Sequence, residues 1–311
     1  MLQRVYASLP LSGPSAVAGR ELLLGIEIVQ QVRNLVELVV LDSYGSDREE
    51  RARANAATAA DDGQALAYIG DFHSSQVLET APILGEAGLL GIAPVATFVG
   101  LAGSTLVRLM PNDEAGARAI AAWLDDKGAH SVLVIHDHDE GYGTPVGAMV
   151  ADAATARGLA VRVQPVWDDP PERADLVGAE AFVYAGVAGP SIASYWEALY
   201  ELDPALWLIG TEGIAVPQLA RELSPAAAAR TRLFVANRAP FAFYGFEAMA
   251  LALDAIAEGL GDREAVARAG RATRDRESPF GTYSLDENGL TKTTEYGRLA
   301  VVERQLVWDL T

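Results

Sequence analysis

The chain has 311 residues, 50% of them hydrophobic and 21% charged, which is a globular composition long enough for two lobes with separate cores. Its 24 Lys and Arg residues against 42 Asp and Glu residues give a net charge of −18, which argues against a nucleic-acid partner because phosphate binding needs a basic surface. The lack of cysteine excludes thiol nucleophiles, thiolate metal sites and disulfides.

Sequence patterns predict strands at 5–9, 35–41, 66–69 and 90–92, alternating with helices from about 19, over 47–60 and over 75–87. A second series has helices at 114–126, 143–156 and 190–200, with strands at 131–135, 160–166, 181–184, 206–209 and 233–235. Helices at 243–258 and 262–273 then precede short strands near 283, at 299–303 and at 305–308. This alternation predicts an α/β protein with two closely joined lobes, each a parallel sheet covered by helices on both faces.

No apolar run reaches the roughly 20 residues of a membrane span. Residues 1–10 carry one Arg and lead directly into a strand pattern, so we expect no secretory signal within them. From the residues alone, a cytosolic protein and the mature form of an exported one both stay open.

Motifs of common enzymes are missing, since the sequence contains neither a P-loop nor a Gly-x-Ser-x-Gly elbow. The glycines at 141, 143 and 147 are spaced G-x-G-x-x-x-G with Pro145 among them, which departs from the dinucleotide-binding pattern. Residues 136–140, HDHDE, have metal-ligand chemistry, but consecutive residues of a strand-to-helix loop are more typical of a polar loop. We therefore expect no catalytic residues, no cofactor and no metal.

Ser74 and Ser75 follow the strand predicted at 66–69 and begin the next helix. Free backbone N–H groups at a helix start, together with the Ser74 hydroxyl, would suit a carboxylate. A serine at this position is also a common helix N-cap. The spacing alone does not decide between an anion site and a cap.

Six blocks of sequence occur in order along nearly the whole chain. They are PLSGP at 10–14 with Gly19; YIG at 68–70 with Ser74, Ser75, PI at 82–83 and IAPVAT at 92–97; VRLMPND at 107–113; IHD at 135–137 with YG at 142–143; GTEG at 210–213; and GTYSLDENG at 281–289. In these blocks the chain resembles the periplasmic substrate-binding proteins of ABC transporters for branched-chain and other hydrophobic amino acids, which have the type I periplasmic-binding fold.

The resemblance implies two doubly wound lobes joined by a three-stranded hinge. The N-terminal lobe would contain residues 1–111 and 239–292, and the C-terminal lobe residues 112–238 and 293–311, with the ligand in the cleft between them. It also implies a non-enzymatic, extracytoplasmic protein, periplasmic or extracellular, that captures a small amino acid by hinge closure. Its partners would be that ligand and a membrane-bound ABC transporter permease. A ligand-sensing domain of a regulator or receptor with the same fold is the alternative.

The resemblance also assigns ligand contacts. Ser74 and Thr97, with the backbone of Val95, would hold the ligand carboxylate, while Tyr142 would cover the ligand and Glu212 would take its ammonium group. In the alternative without a ligand role, Tyr142 would be a half-buried ring of the core and Glu212 would form a surface salt bridge. The remaining candidate contacts are His73, Ala96, Ala18, Ala188 and Phe243.

The chain departs from its leucine-binding relatives around the expected side-chain pocket. Ala18 and Ala188 stand where those relatives tend to carry bulky aromatic residues, the segment 235–246 is shorter, and the hairpin expected near 32–35 is missing. Phe98, Phe243 and Phe246 are candidates to refill the space, although the helical spacing of Phe246 with Met249 and Leu253 favours a core position. The sequence therefore predicts the ligand's head group and leaves its side chain open.

Overall fold

The computed structural model describes residues 2–138, 142–167, 170–189 and 191–309. The chain forms two compact units, the first made of Met1–Pro111 and Ala239–Thr293 and the second of Asn112–Arg238 and Thr294–Thr311. Among the helices in those ranges, none is both long and apolar enough to cross a membrane.

Each unit is built on one sheet. The strands in chain order are β1 (Arg4–Leu9), β2 (Glu37–Asp42), β3 (Ala65–Ile69), β4 (Leu90–Ala93), β5 (Leu106–Arg108), β6 (Ser131–His136), β7 (Ala160–Pro165), β8 (Ala181–Ala185), β9 (Trp207–Gly210), β10 (Thr231–Val235), β11 (Gly297–Val302) and β12 (Gln305–Trp308). The α-helices are α1 (Ala16–Arg33), α2 (Arg48–Asp61), α3 (Ser74–Glu86), α4 (Asp113–Asp126), α5 (Gly143–Ala156), α6 (Ile192–Leu202), α7 (Pro217–Glu222), α8 (Pro225–Arg230), α9 (Phe241–Gly259) and α10 (Arg263–Arg271). Two short 3₁₀ helices lie at Arg173–Leu176 and Glu212–Ile214.

The sheet of the first unit has five parallel strands in the order β2-β1-β3-β4-β5. Helices α2 and α3 pack on the face that carries Tyr6 and Tyr68, and α1, α9 and α10 pack on the opposite face. The strands read as continuous apolar runs because both of their faces are covered, as is typical of parallel sheets.

Helices α1 and α9 approach each other at glycines. A Cβ atom on Gly25 would lie 1.9 Å from the carbonyl oxygen of Ala242, and one on Gly245 would lie 2.0 Å from that of Leu22. The two helix backbones are therefore in direct contact, a spacing that a larger residue at either glycine would prevent. Phe246 is 36% exposed, although Met249 and Leu253 at its helical spacing are buried, so the predicted core position of Phe246 is wrong.

The second unit contains a seven-stranded sheet in the order β12-β11-β10-β9-β8-β6-β7. Strands β6 to β10 are parallel, and β11 and β12 join antiparallel at one edge. Successive residues of β6 alternate between two cores, with Leu133 and Ile135 in one and Val132 and Val134 in the other. The predicted α/β class, with parallel sheets covered on both faces, is confirmed.

Some predicted elements differ from the structure. The sequence reading missed β5, a strand of only three residues, and the short helices α7 and α8. Near residue 283 there is no strand, because Tyr283 pairs with Arg276 only through an isolated bridge. The helix predicted at 190–200 runs over Ile192–Leu202, and residue 190 lies outside the described residues.

Candidate functional site

The start of α3 carries the candidates of the first unit. Ser74 Oγ accepts hydrogen bonds from the backbone N–H groups of Thr97, at 3.3 Å, and Phe98, at 3.2 Å. His73 is the N-cap, so the reading of Ser74 or Ser75 as the cap is wrong. Because the Ser74 oxygen accepts two backbone bonds, its hydroxyl proton is left to donate to another group.

The other candidates of the first unit differ in how far they are buried. Val95 and Ala96 are buried, at 7% and 1% exposure, and Thr97 is partly buried. Ala18 is partly buried in the first turn of α1, whereas Phe243, in the first turn of α9, is 43% exposed. The structure thus joins Ser74 directly to Thr97, while Ala18 and Phe243 lie in the first turns of two other helices.

Phe98 follows Thr97 and belongs to the core of the first unit. It packs against the buried apolar cluster that contains Val77, Ala96 and Leu106. Its carbonyl oxygen accepts a hydrogen bond from Arg108 Nη1 at 2.9 Å, which ties this loop to β5.

His73 is neutral near pH 7. Burial, and to a smaller extent the charge of Arg48, lower the pKa of His73 to about 4. Its Nε2 lies 3.4 Å from Ser15 Oγ, just before α1, and its ring contacts Phe72 edge-on at 5.0 Å between centroids. His73 therefore links the starts of α1 and α3 without adding a charge.

A buried polar network lies directly before this loop. Asp71 is completely buried, and its Oδ1 accepts a hydrogen bond from the Ser8 hydroxyl at 2.7 Å. The Tyr68 hydroxyl lies 3.2 Å from Asp71 Oδ2, and Asn55 Nδ2 donates to Ser8 Oγ at 3.0 Å. Burial raises the pKa of Asp71 to about 6, although hydroxyl donors, Ser8 foremost, oppose the rise. The network anchors the beginning of the loop that carries His73 and Ser74.

In the second unit, Tyr142 holds the turn that contains Glu212. The Tyr142 hydroxyl donates to Thr211 Oγ1 at 3.3 Å and accepts from the Gly213 N–H at 3.1 Å. The N–H of Ala188 donates to the Gly213 carbonyl oxygen at 2.9 Å. Tyr142, Ala188 and the residues on both sides of Glu212 are thus brought together. The Tyr142 ring also packs against the core and is half-buried, as the alternative without a ligand role predicts.

Gly213 is required at its position in this turn. A Cβ atom there would lie 2.2 Å from the Gly186 carbonyl oxygen and 2.9 Å from Tyr142 Cε1. The close approach of the turn to the loop after β8 therefore depends on the missing side chain.

Glu212 is partly buried, and its Oε2 accepts a hydrogen bond from the Ala236 N–H at 3.3 Å. Burial, and then the nearby charge of Asp113, raise the pKa of Glu212 to about 7. Within the described ranges Glu212 forms no ion pair, so the alternative in which it forms a surface salt bridge is wrong. A buried carboxylate of this kind gains most from a cationic partner with hydrogen-bond donors.

The polar loop at 136–140 has a structural role where it is described. Asp137 Oδ2 accepts from the Val187 N–H at 2.8 Å, and a Cβ atom on Gly143 would lie 1.8 Å from Asp137 Oδ1. The carboxylate therefore joins the loops after β6 and β8. In the parts of the chain that the structure describes, no three His, Cys, Asp or Glu side chains are grouped as metal ligands. Asp139 and Glu140 of the metal-like pattern and Gly141 of the dinucleotide-like pattern lie outside the described residues.

Sequence reasoning missed Asp71, Asp113 and Thr211. Asp71 lies two residues after the end of β3, and a carboxylate just after a buried strand is a signal that could have marked it. Asp113 lies in the first turn of α4, where an acidic residue usually serves the helix dipole, so nothing in its local sequence connects it with Glu212. Asp113 and Thr211 both stand in the six sequence blocks, and the resemblance assigns a ligand contact to neither.

No protein-family model and no curated protein matches the sequence. Solved structures do match it over its whole length. A leucine-binding protein LivK from Thermotoga maritima superposes with a TM-score of 0.80, at 22% identity, over 99% of this chain and 98% of that one. This chain has the type I periplasmic-binding-protein fold.

Two further structures with this fold contain amino acids. An ABC transporter substrate-binding protein from Desulfitobacterium hafniense in complex with Leu matches with a TM-score of 0.80, at 17% identity, over 99% of both chains. LivJ from Streptococcus pneumoniae, in complex with isoleucine, matches with a TM-score of 0.75, at 16% identity, over 99% of this chain and 100% of that one. At sequence identities this low, the similarity confirms the fold that the six sequence blocks predict.

Proposed function

We propose that the chain is the solute-binding protein of an ABC transporter and captures a free α-amino acid between its two units. The observation that carries the proposal is the partly buried carboxylate of Glu212, held on a turn by Tyr142, in a fold shared over 99% of the chain with amino-acid-binding proteins. Ser74 and Glu212 belong to different units, so one ligand bonded to both would favour a closed arrangement of the hinge.

The polar groups of the two units complement the two charges of an amino acid. In the first unit, the Ser74 hydroxyl has a proton to donate at the N-terminus of α3, where the helix dipole favours a carboxylate. In the second unit, Glu212 offers an acceptor and a negative charge to an ammonium group. These residues bind and orient the ligand, and no group is assigned to covalent chemistry.

The proposal includes the setting of the protein. A receptor that releases an amino acid to a transporter needs a membrane-bound permease as its partner, and it works outside the cytoplasm. Structures of this fold described as extracellular ligand-binding receptors support that location. No observation favours the alternative of a sensor domain.

Mass spectrometry of the ligand released on denaturing the purified protein tests the proposal. We expect a free α-amino acid in a ratio approaching one per chain. That amino acid, added back to stripped protein, should raise the melting temperature by mass action. A released compound without an α-ammonium group would contradict the proposal, as would stripped protein that none of the standard amino acids stabilises.

A further inference from the structure

The strand β2 forms one edge of the first sheet, next to β1. The N–H of Glu37 donates to the Gln3 carbonyl oxygen at 2.8 Å and that of Ser43 to the Leu9 carbonyl oxygen at 2.8 Å. Odd-numbered residues of β2 therefore direct their backbone groups at β1. The N–H and C=O groups of Leu38 and Val40 point away from β1, along the open edge.

The four central side chains of this strand are apolar and lie between an acid at either end, and Val39 and Leu41 pack against the cluster that contains Tyr6 and Tyr68. None of the six residues of β2 is buried, although four of them are Leu or Val. Val40 is 36% exposed, and Leu35, just before the strand, is 53% exposed. Tyr44, just after it, is 38% exposed. An edge of this kind is a template for pairing with another strand.

The other sheet edges carry protection that β2 lacks. The outer side of β5 is covered, since the Arg108 N–H donates to the Gly289 carbonyl oxygen at 3.0 Å and its carbonyl oxygen accepts from the Thr291 N–H at 3.1 Å. In β7, Pro165 occupies an outward position and has no N–H to offer, and β12 is only four residues long. β2 contains no Pro, Lys or Arg, and its pairing with β1 has no bulge.

We propose that β2 pairs antiparallel with β2 of a second copy of this chain, so that two five-stranded sheets become one sheet of ten strands. A two-fold axis at Val39 sets the register. Leu38 then lies opposite Val40 of the second copy, and the two symmetric pairs exchange four backbone hydrogen bonds. A shift by one residue is excluded because it would set outward-pointing groups against groups already bonded to β1.

The side chains fit this self-pairing. Val39 meets Val39 of the second copy, and Leu38 meets Val40, so apolar residues face apolar residues across the axis. Glu37 lies opposite Leu41 of the second copy rather than opposite Asp42, which avoids a pair of like charges. Glu37 is already bonded to Arg4 Nε at 2.8 Å, so its charge is partly balanced within its own chain. Because the same patch serves both copies, the contact closes as a dimer.

Sedimentation velocity from about 1 µM to 1 mM protein tests the proposal, since an edge contact of this size predicts weak association. We expect a monomer–dimer equilibrium. Val40→Pro removes one outward N–H from each copy, two of the four hydrogen bonds, and should raise the dissociation constant at least about tenfold. Val40→Thr keeps the N–H and the branched shape, and is the matched control that should still dimerise.

Leu38→Lys gives a second variant in case Pro disturbs the strand, and it should also dissociate the dimer. Hydrogen exchange of the wild type gives an independent readout. The amides of Leu38 and Val40 should become protected as concentration rises, while those of Val39 and Leu41 stay protected at every concentration. A wild type that remains monomeric to about 1 mM would overturn the proposal. So would a dimer that both Val40→Pro and Leu38→Lys leave intact, or amides at 38 and 40 that exchange at one rate at all concentrations.

Discussion

The hydroxyl of Tyr142 accepts a hydrogen bond from the backbone N–H of Gly213 at 3.1 Å. The same hydroxyl donates to Thr211 Oγ1, so Tyr142 is hydrogen-bonded to the residues on both sides of Glu212. Its role in ligand binding would then be to position a carboxylate through its oxygen atom, in addition to any cover that its ring provides.

Tyr142→Phe separates these two roles because it keeps the ring and removes the hydroxyl. We expect the affinity for the amino acid to fall about tenfold, since a lost hydrogen bond to a buried group costs on the order of 1–3 kcal/mol. Isothermal titration calorimetry measures the change. Tyr195→Phe is the matched control in the same unit, because the buried Tyr195 hydroxyl has no hydrogen-bond partner in the described residues. Equal affinities for wild type and Tyr142→Phe would show that the ring alone matters.

Ser74 and Ser75 are adjacent serines with different partners. Ser74 Oγ accepts from the N–H groups of Thr97 and Phe98, whereas Ser75 Oγ donates to Glu49 Oε1 at 2.7 Å on the exposed side of α3. Ser74→Ala should weaken amino-acid binding by one to two decades, because it removes a donor to the carboxylate and loosens the 97–98 loop. Ser75→Ala should leave the affinity within about twofold. Titrations in which the two alanine variants behave alike would remove Ser74 from the site.

The raised pKa of Glu212 predicts how binding depends on pH. An ammonium group binds the ionised carboxylate, and the pKa of Glu212 in the free protein is about 7. Affinity should therefore be highest above pH 7 and fall, by up to about tenfold per pH unit, as Glu212 becomes protonated. The amino acid's own carboxylate and ammonium keep their charges from about pH 4 to 8. Calorimetry across that range measures the profile, and an affinity that rises toward pH 5 would contradict it.

The stability of the ligand-free protein should change in the opposite direction. Because the folded-state pKa of Glu212 lies above its ordinary value of 4.5, folding binds a proton between those two values. The contribution of Glu212 to stability is therefore lost as pH rises from about 4.5 to 7, by at most on the order of 3 kcal/mol. Glu212→Gln should flatten this part of the curve of melting temperature against pH.

Much of the fold could be predicted because its strands are short apolar runs between recognisable helices. The buried β3 and β6 stand out for this reason, and both were predicted to within one residue at each end. β5 was not, since three residues give no periodicity and their covering partner lies far away, at 289–291. Phe246 shows a different limit. Its spacing is that of the buried Met249 and Leu253, but Phe246 lies near the N-terminal end of α9 and is exposed.

The candidate site could be predicted only in part. Ser74 and Thr97 are joined by a hydrogen bond, and Tyr142 and Ala188 meet the turn of Glu212, so the pairs within each unit agree with the resemblance. Asp71 was missed although its position just after β3 was a signal. Asp113 was missed because its effect on Glu212 is created by the tertiary fold, and its place in the sequence does not report its neighbours. The ligand contacts themselves stay a prediction.

The Ser8 hydroxyl is the main hydrogen-bond donor to Asp71, so removing it should shift the pKa of Asp71 measurably. Ser8→Ala removes the 2.7 Å bond to Asp71 Oδ1 and one of the two acceptors of Asn55 Nδ2, which keeps its bond to the Asp42 carbonyl oxygen. Because that bond favours the ionised form, the pKa of Asp71 should rise above its present value of about 6. The variant should also be destabilised by about 1–3 kcal/mol near neutral pH.

Carboxyl NMR titration and chemical denaturation measure the two effects. Ser12→Ala is the control, since the exposed Ser12 hydroxyl donates to Asp42 at 2.6 Å in the same unit and its loss should cost about 1 kcal/mol or less. An unchanged Asp71 pKa in Ser8→Ala would mean that the Ser8 bond does not favour the ionised form.

The most direct test of the account compares two ligands on two proteins by calorimetry. The ligands are the amino acid released from the purified protein and its matching 2-oxo acid, and the proteins are the wild type and Glu212→Gln. In the wild type, a ligand without the ammonium group would lose the charge-assisted hydrogen bond to Glu212, which is worth about 1.5–3 kcal/mol, and Glu212 would take up a proton rather than stay ionised without a partner. The account predicts that the wild type prefers the amino acid by one to two decades, and that Glu212→Gln weakens the amino acid strongly and the 2-oxo acid little. A wild type that binds the 2-oxo acid as tightly as the amino acid would contradict it.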